Sequence, residues 1–219
     1  MCDLKNKLMK QKVFDFNSPP NVNKDNFFVS KSNFNAYNFV LDESNLINLN
    51  ILFGPSKSGK THLSHIWAKK NNALMLKDII YFDIVNIKKN IVIDDFLNNL
   101  DEELLFHLIN HCFSNKLKIL LTTKILISNY NFIIKDLSSR IKSFNYIEIN
   151  DPDDELIVNL IFKLLSDKQI IINKTEIFSY ILKRINRTYN DIYFLVEKID
   201  ELSLEKNREL TIPLIRELI

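Results

Sequence analysis

A chain of 219 residues, 46 % hydrophobic and 26 % charged, is long enough for one mid-sized α/β domain or a core domain with a small appendage, and is balanced as globular proteins are. Its formal net charge of +2 is too near neutral to point to a nucleic-acid or membrane-surface binder. Two cysteines, Cys2 and Cys112, make no disulfide framework, and neither a transmembrane-length apolar run nor a signal-peptide core is present. A soluble protein of the reducing cytoplasm is expected.

Residues 1–26 are polar, carry Pro19-Pro20 and several asparagines, and read as an extended tail. "NLINLNILFG" (Asn45–Gly54) ends in an apolar run that stops at a glycine, the pattern of a buried strand. After a loop, Leu63, Ile66 and Trp67 recur at helical spacing. "NALML" (Asn72–Leu76) is a weaker strand candidate, and "NIVIDDF" (Asn90–Phe96) a stronger one that ends in two acids. "DEELLFHLINHCF" predicts a helix with Leu104, Leu105, Leu108, Ile109 and Cys112 on one face and acids in its first turn. "KLKILLTT" (Lys116–Thr123) and "YIEIN" (Tyr146–Asn150) complete the strands. Beyond "NDPDDE" (Asn150–Glu155) only helical patterns remain, over Leu156–Ser166, Thr175–Arg184 and Asp191–Leu204. Strands alternating with helices predict a parallel sheet covered on both faces. The expected organisation is a flexible tail over 1–26, an α/β core over 27–150 and a helical lid over 151–219.

The chain contains two glycines, Gly54 and Gly59. They bracket Gly54-Pro55-Ser56-Lys57-Ser58-Gly59-Lys60-Thr61, which fits G-x-x-x-x-G-K-[ST] between a predicted strand and a predicted helix. Such a loop wraps phosphates with inward-pointing backbone N–H groups, and a Cβ at the glycines would obstruct that path. Lys60 is placed to reach the β- and γ-phosphates and the Thr61 hydroxyl to ligate Mg²⁺, with the helix N-terminus adding partial positive charge. The competing reading, a strand–helix turn with chance Gly and Lys, is disfavoured by context and by a second motif. In "IVIDDF", Asp94 at the end of a strand expected beside the loop strand is positioned for the Mg²⁺ shell, and Asp95 is placed to orient or deprotonate an attacking water. Asp95 as an acidic N-cap of the next helix is the alternative. An Asp where many ATPases carry Glu reaches less far, so nucleotide binding is expected with weak or no intrinsic ATPase activity.

These blocks, with "LDEELLFHLINHCFSNKLKILLTT", "LSSRIKSF" and "RELTIPLIREL" in order, resemble the AAA+ ATPases. Within them they resemble the DnaA-like branch, and most nearly the Hda family of regulatory inactivators of the replication initiator DnaA. The resemblance implies a P-loop AAA+ core with a five-stranded parallel sheet, a small C-terminal α-helical lid, and ADP or ATP with Mg²⁺ as cofactors. It sets Thr122 and Thr123 in the sensor-1 region, where a polar side chain sees the γ-phosphate or the attacking water, with Thr123 as the catalytic candidate; two threonines that only cap a strand are the alternative. It matches Arg140 in "LSSRI" to an arginine finger, whose fixed charge stabilises phosphoryl transfer in a neighbouring subunit; a surface pair with Asp136 is the alternative. DnaA carries a further C-terminal DNA-binding domain, and here the chain stops at Ile219, so a regulator rather than an initiator is expected.

The same resemblance locates a sensor-2 arginine in "INRTYNDIYFLVEKID", but Asn190 stands near that position, with Arg187 one turn earlier as a substitute; a lid that does not contact the γ-phosphate is the alternative. In "FFVSKSNFNAYNFV" (Phe27–Val40) it implies the adenine pocket, with Val29 and Asn33 as base contacts. In the tail, "QKVFDF" resembles a clamp-binding peptide: Gln11 would be hydrogen-bonded and Val13, Phe14 and Phe16 would fill an apolar pocket. Folding of these rings onto the chain's own core is the alternative. The implied partners are DnaA and the sliding clamp, the β subunit of DNA polymerase III, with DNA reached indirectly through the clamp and no membrane; homo-oligomerisation is left open. The implied function is to stimulate ATP hydrolysis by DnaA and so prevent re-initiation. A stand-alone P-loop kinase would need more phosphate-clamping arginines than Arg184 and Arg187, and a helicase-loader type fits the near-neutral charge poorly. His107, His111 and Cys112 share one helix but lack the glutamate and second cluster of a metal site, and His62, His65, Lys69-Lys70 and Lys88-Lys89 are assigned no role.

Overall fold

In parallel strands buried on both faces, successive side chains must serve two different cores. The central strands of this chain do so. β1 (Leu49–Phe53) sends Ile51 to one side and Leu52 to the other. β3 (Ile91–Ile93) divides Ile91 and Ile93 from Val92, and β4 (Ile119–Thr123) divides Ile119 and Leu121 from Leu120. With β2 (Leu74–Leu76) and β5 (Asn145–Glu148) they form a five-stranded, all-parallel sheet of order β2-β3-β4-β1-β5. The structure is a computed structural model and describes residues 27–42, 48–76, 84–98, 100–170, 176–206 and 211–218. Gln11–Phe16 lies outside them.

One face of the sheet is covered by α1 (Phe34–Leu41) and α2 (Lys60–Lys70), whose Leu63, Ile66 and Trp67 pack with Leu52, Val92 and Leu120. The other is covered by α3 (Glu102–Ser114) and α4 (Lys135–Lys142). Leu105, Leu108, Ile109 and Cys112 of α3 are buried, with Leu104 packed partly buried at the edge. Asp101 caps α3, its carboxylate accepting the Leu104 N–H at 3.0 Å. Capping by Asp101 rather than Asp95 removes the alternative role of Asp95 at that helix.

After Asp153 the described elements are helices: α5 (Asp154–Asp167), α6 (Glu176–Leu182), α7 (Tyr189–Lys206) and α8 (Ile212–Arg216). Their apolar faces build a cluster of their own around Ile157, Ile161, Ile181, Ile192 and Ile199. Leu156 and Tyr189 instead join the sheet-side core, and the Tyr189 hydroxyl donates to the Asn150 carbonyl at 3.2 Å. The helical unit is thus joined to the strand ends at one seam. α1, α4 and α8 were not expected from the pattern, because each is short and buries two apolar side chains. No helix of the described residues is long and apolar enough to cross a membrane.

One expectation is corrected. β3 is not beside β1; β4 lies between them. Apolar runs buried on both faces carry no record of their lateral order, which is set by the crossovers.

Candidate functional site

The loop after β1 is shaped by its own chain before any ligand is considered. A Cβ at Gly54 would lie 2.9 Å from Ile149, and one at Gly59 would lie 2.8 Å from the Phe27 ring, with Gly59 at φ +90. Lys57 also takes a positive φ, 64. Left-handed residues alternating with ordinary ones turn successive N–H groups inward, an anion-binding concavity that here runs into the N-terminus of α2. Pro55 supplies a carbonyl to the loop's inner lysine, Ser56 is exposed, and Lys57, also exposed, sets its ammonium 4.9 Å from the Tyr193 ring centre.

Lys60 is buried and its ammonium donates to the Gly54 and Pro55 carbonyls at 2.8 and 2.6 Å. Burial pulls its pKa below the ordinary lysine value; Asp94 and Asp95 oppose that shift and Lys124 adds to it. The Ser58 hydroxyl is buried with no hydrogen-bond partner among the described residues. An orphaned donor and an ammonium satisfied by neutral carbonyls in one cradle fit a bound anion.

Beyond the loop, polar groups from three elements converge. Thr61 donates to Asp94 Oδ2 at 2.6 Å, and Thr122 donates to Asp94 Oδ1 at 2.5 Å. Thr122 Oγ1 also accepts the Asp95 N–H at 2.8 Å, holding Asp95 at φ +50. A hydroxyl and a carboxylate at this separation are hard oxygen donors that suit Mg²⁺. The Asp95 carboxylate is paired with Lys124 at 3.0 Å. Thr123 turns elsewhere: its hydroxyl donates to the Ile125 carbonyl and accepts the Ile125 N–H. Of the two threonines, Thr122 is the one brought to Asp94.

Beside the loop opens a pocket. Phe27, Phe28 and His62 line it from the core, and Tyr189 and Tyr193 from α7. Asn33 lines it too, but its amide is committed to the chain, Oδ1 accepting the Ser30 N–H and Nδ2 donating to the Phe28 carbonyl. Val29 is 37 % exposed and is not among the lining residues. Tyr189 and Tyr193 escaped sequence reading, although their spacing of four in α7 puts both on one helix face. Burial raises the pKa of both phenols, that of Tyr189 to about 12.

Arg140 on α4 stands apart from the loop, its guanidinium 5.6 Å from the Phe106 ring centre and 6.0 Å from that of Phe113. Arg187 pairs with Asp154 at 2.9 Å and lines a different groove, with Ser179, Leu182 and Lys183. Asn190 is exposed. His111 contacts the Ile87 carbonyl through Nε2 at 2.8 Å, and burial pushes the Cys112 thiol up to about 12. No group of three or more His, Cys, Asp or Glu among the described residues is arranged to hold a metal.

Comparison with known proteins places this geometry. Residues 161–219 match the family described as "Hda, lid domain". The chain is 27 % identical over 197 residues to the chromosomal replication initiator protein DnaA of Buchnera aphidicola subsp. Cinara cedri, covering 77 % of this chain but 44 % of that protein. Among solved structures it is similar to AMPPCP-bound DnaA from Aquifex aeolicus, with TM-score 0.65 and 21 % identity over 88 % of this chain and 70 % of that one. It is similar also to domain III of DnaA from Thermotoga maritima, with TM-score 0.72 and 17 % identity over 91 % and 96 %. At such identities these structures establish the α/β P-loop AAA+ fold.

Proposed function

Because the chain is a DnaA-like AAA+ protein close to Hda, we propose that it regulates the initiation of chromosomal replication. In this reading it binds ADP or ATP with Mg²⁺ at Gly54–Thr61, docks on the DNA-loaded sliding clamp through Gln11, Val13, Phe14 and Phe16, and stimulates ATP hydrolysis by DnaA. The observation that carries it is the unmet polar capacity of the loop, where the buried Ser58 hydroxyl lacks a partner and the Lys60 ammonium meets only carbonyls among the described residues. The adenine choice is supported by the fold shared with AMPPCP-bound DnaA and by the aromatic pocket beside the loop.

The chain's own residues divide the work. Loop amides and Lys60 hold phosphates, Thr61 and Asp94 hold the cation, and Phe27, Tyr189 and Tyr193 close the pocket around the base. Bound Mg²⁺ supplies charge neutralisation on the phosphate oxygens. Asp95 is engaged with Lys124 and Arg187 with Asp154, which accords with slow turnover by this chain. Arg140 serves the partner instead: a guanidinium presented from α4 stabilises charge developing at the terminal phosphate of DnaA-bound ATP, a contribution of roughly 10³–10⁵ in rate in other NTPases.

Arg140→Ala tests this reading. Nucleotide and clamp binding should persist while stimulated hydrolysis by DnaA disappears. Stimulation at the wild-type rate would remove Arg140 from the mechanism.

A further inference from the structure

Among the non-glycine residues of the loop, Lys57 alone takes a positive φ, 64. A Cβ disfavours that conformation, and glycine would hold it at no steric cost. Strain of this kind persists where a contact repays it, and the side chain of Lys57 makes one. Its ammonium lies 4.9 Å from the centre of the Tyr193 ring, within the range of a cation–π attraction. Tyr193 belongs to α7 of the helical lid, and both residues line the pocket beside the loop. The contact therefore runs from loop to lid across the pocket.

Two further observations set it in place. Lys163 of α5 crosses the same pocket in the opposite sense, its ammonium 5.9 Å from the centre of the Phe28 ring. Arg187, the lid cation expected to reach the loop, is paired with Asp154 and lines a different groove. The charge that joins loop and lid at Tyr193 is thus supplied by the loop. Lys57 is also next to Ser58, whose buried hydroxyl lacks a partner among the described residues. A single cation–π contact at an exposed lysine is too weak to fix the fold, and it is of the strength suited to a contact that opens and recloses. A ligand held between loop and lid leaves when they part, so such a contact acts on the rate of release.

We propose that Lys57 is a positioning residue that latches the lid: its ammonium on the Tyr193 ring holds α7 against the loop and sets how long a nucleotide stays bound. Lys57 acts through Tyr193 rather than on the phosphates. This role rests on the nucleotide reading of Gly54–Thr61.

The test measures release. The full chain is loaded with a fluorescent ADP and Mg²⁺, the probe is displaced by excess ADP, and thermal unfolding of each variant checks that it is folded. Lys57→Met keeps the stem and removes the charge, and should release the probe about threefold faster or more. Lys57→Gly should release it equally fast although it relieves the backbone strain, and Lys57→Arg should restore slow release. Tyr193→Leu should also speed release, and should add little in the Lys57→Met background. Release from Lys57→Met at the wild-type rate, or additive effects of Lys57→Met and Tyr193→Leu, overturn this inference alone. A wild-type chain that takes up no ADP overturns it together with the reading beneath it.

Discussion

A Cβ on Gly54 would lie 2.9 Å from both the Cβ and the carbonyl oxygen of Ile149. Ile149 is held in place by its own N–H, which donates to the Phe53 carbonyl at 2.8 Å. The first glycine is therefore demanded by the close approach of β1 and β5, independently of any phosphate. Gly54→Ala should lower stability by about 1–3 kcal/mol even without nucleotide, seen as a lower Tm of the apo protein. At Gly59 the obstacle is the edge of the Phe27 ring, which can turn aside, but a left-handed backbone remains. Gly59→Ala should cost about 1 kcal/mol or more through that strain and perturb the pocket as Phe27 shifts. A Gly54→Ala protein with wild-type apo Tm would refute the packing account.

Asp153 ties the lid helix to the segment beside the pocket. One carboxylate oxygen caps α5 at the Leu156 N–H, 2.9 Å away, and the other accepts the Ser32 N–H at 3.2 Å. Burial alone would raise its pKa, but the bonds from Leu156, Ser30 and Ser32 and the nearby Lys31 outweigh it and hold the carboxyl below its ordinary value of 3.8. A depressed carboxylate pKa contributes stability above the unfolded-state value and loses it as pH falls through the folded-state value. Asp153→Ala should cost about 0.5–2 kcal/mol at neutral pH. The difference in unfolding free energy between variant and wild type should close as the pH falls below about 3.8. A difference that stays constant with pH would show that the charge of Asp153 plays no part.

The strands were legible because each is an apolar run, down to "NALML", where three residues survive as β2. The loop motif was legible because glycine is so scarce. What stayed hidden depends on neighbours distant in sequence. Pairing of Ile93 with Leu121 sets Asp94 opposite Thr122, a register that no local pattern encodes, so Thr122 and Thr123 could not be told apart. The pocket joins Phe27 and Phe28 to Tyr189 and Tyr193 across most of the chain, and helical spacing alone marks the tyrosines as ordinary core.

The tail reading yields a prediction of its own. Disordered, polar segments are poor in aromatic residues, so Phe14 and Phe16 after Gln11 call for an apolar partner surface. A pull-down with the sliding clamp should capture the wild-type chain and lose most of it on Phe14→Ala/Phe16→Ala. Nucleotide affinity should be unaffected. Equal capture of both proteins would mean that the clamp, if bound, is held elsewhere.

Asp94 joins Thr61 and Thr122 through its two oxygens, and each bond has a different consequence when the carboxylate becomes an amide. Asn keeps the shape and one acceptor, so the link from one hydroxyl survives, and the amide nitrogen cannot accept from the other. The lost charge matters more: a hard dication at the proposed Thr61–Asp94 site would depend on the carboxylate for most of its attraction. Asp94→Asn should therefore fold with a Tm within a few degrees of wild type and still bind nucleotide through the loop amides and Lys60. The increase in ATP affinity that wild type gains from added Mg²⁺ should fall about tenfold, corresponding to roughly 1.4 kcal/mol. Titrations with ATP at zero and saturating Mg²⁺ measure that increment directly. An Asp94→Asn chain whose ATP affinity responds to Mg²⁺ as the wild type does would show that the cation is held by other residues.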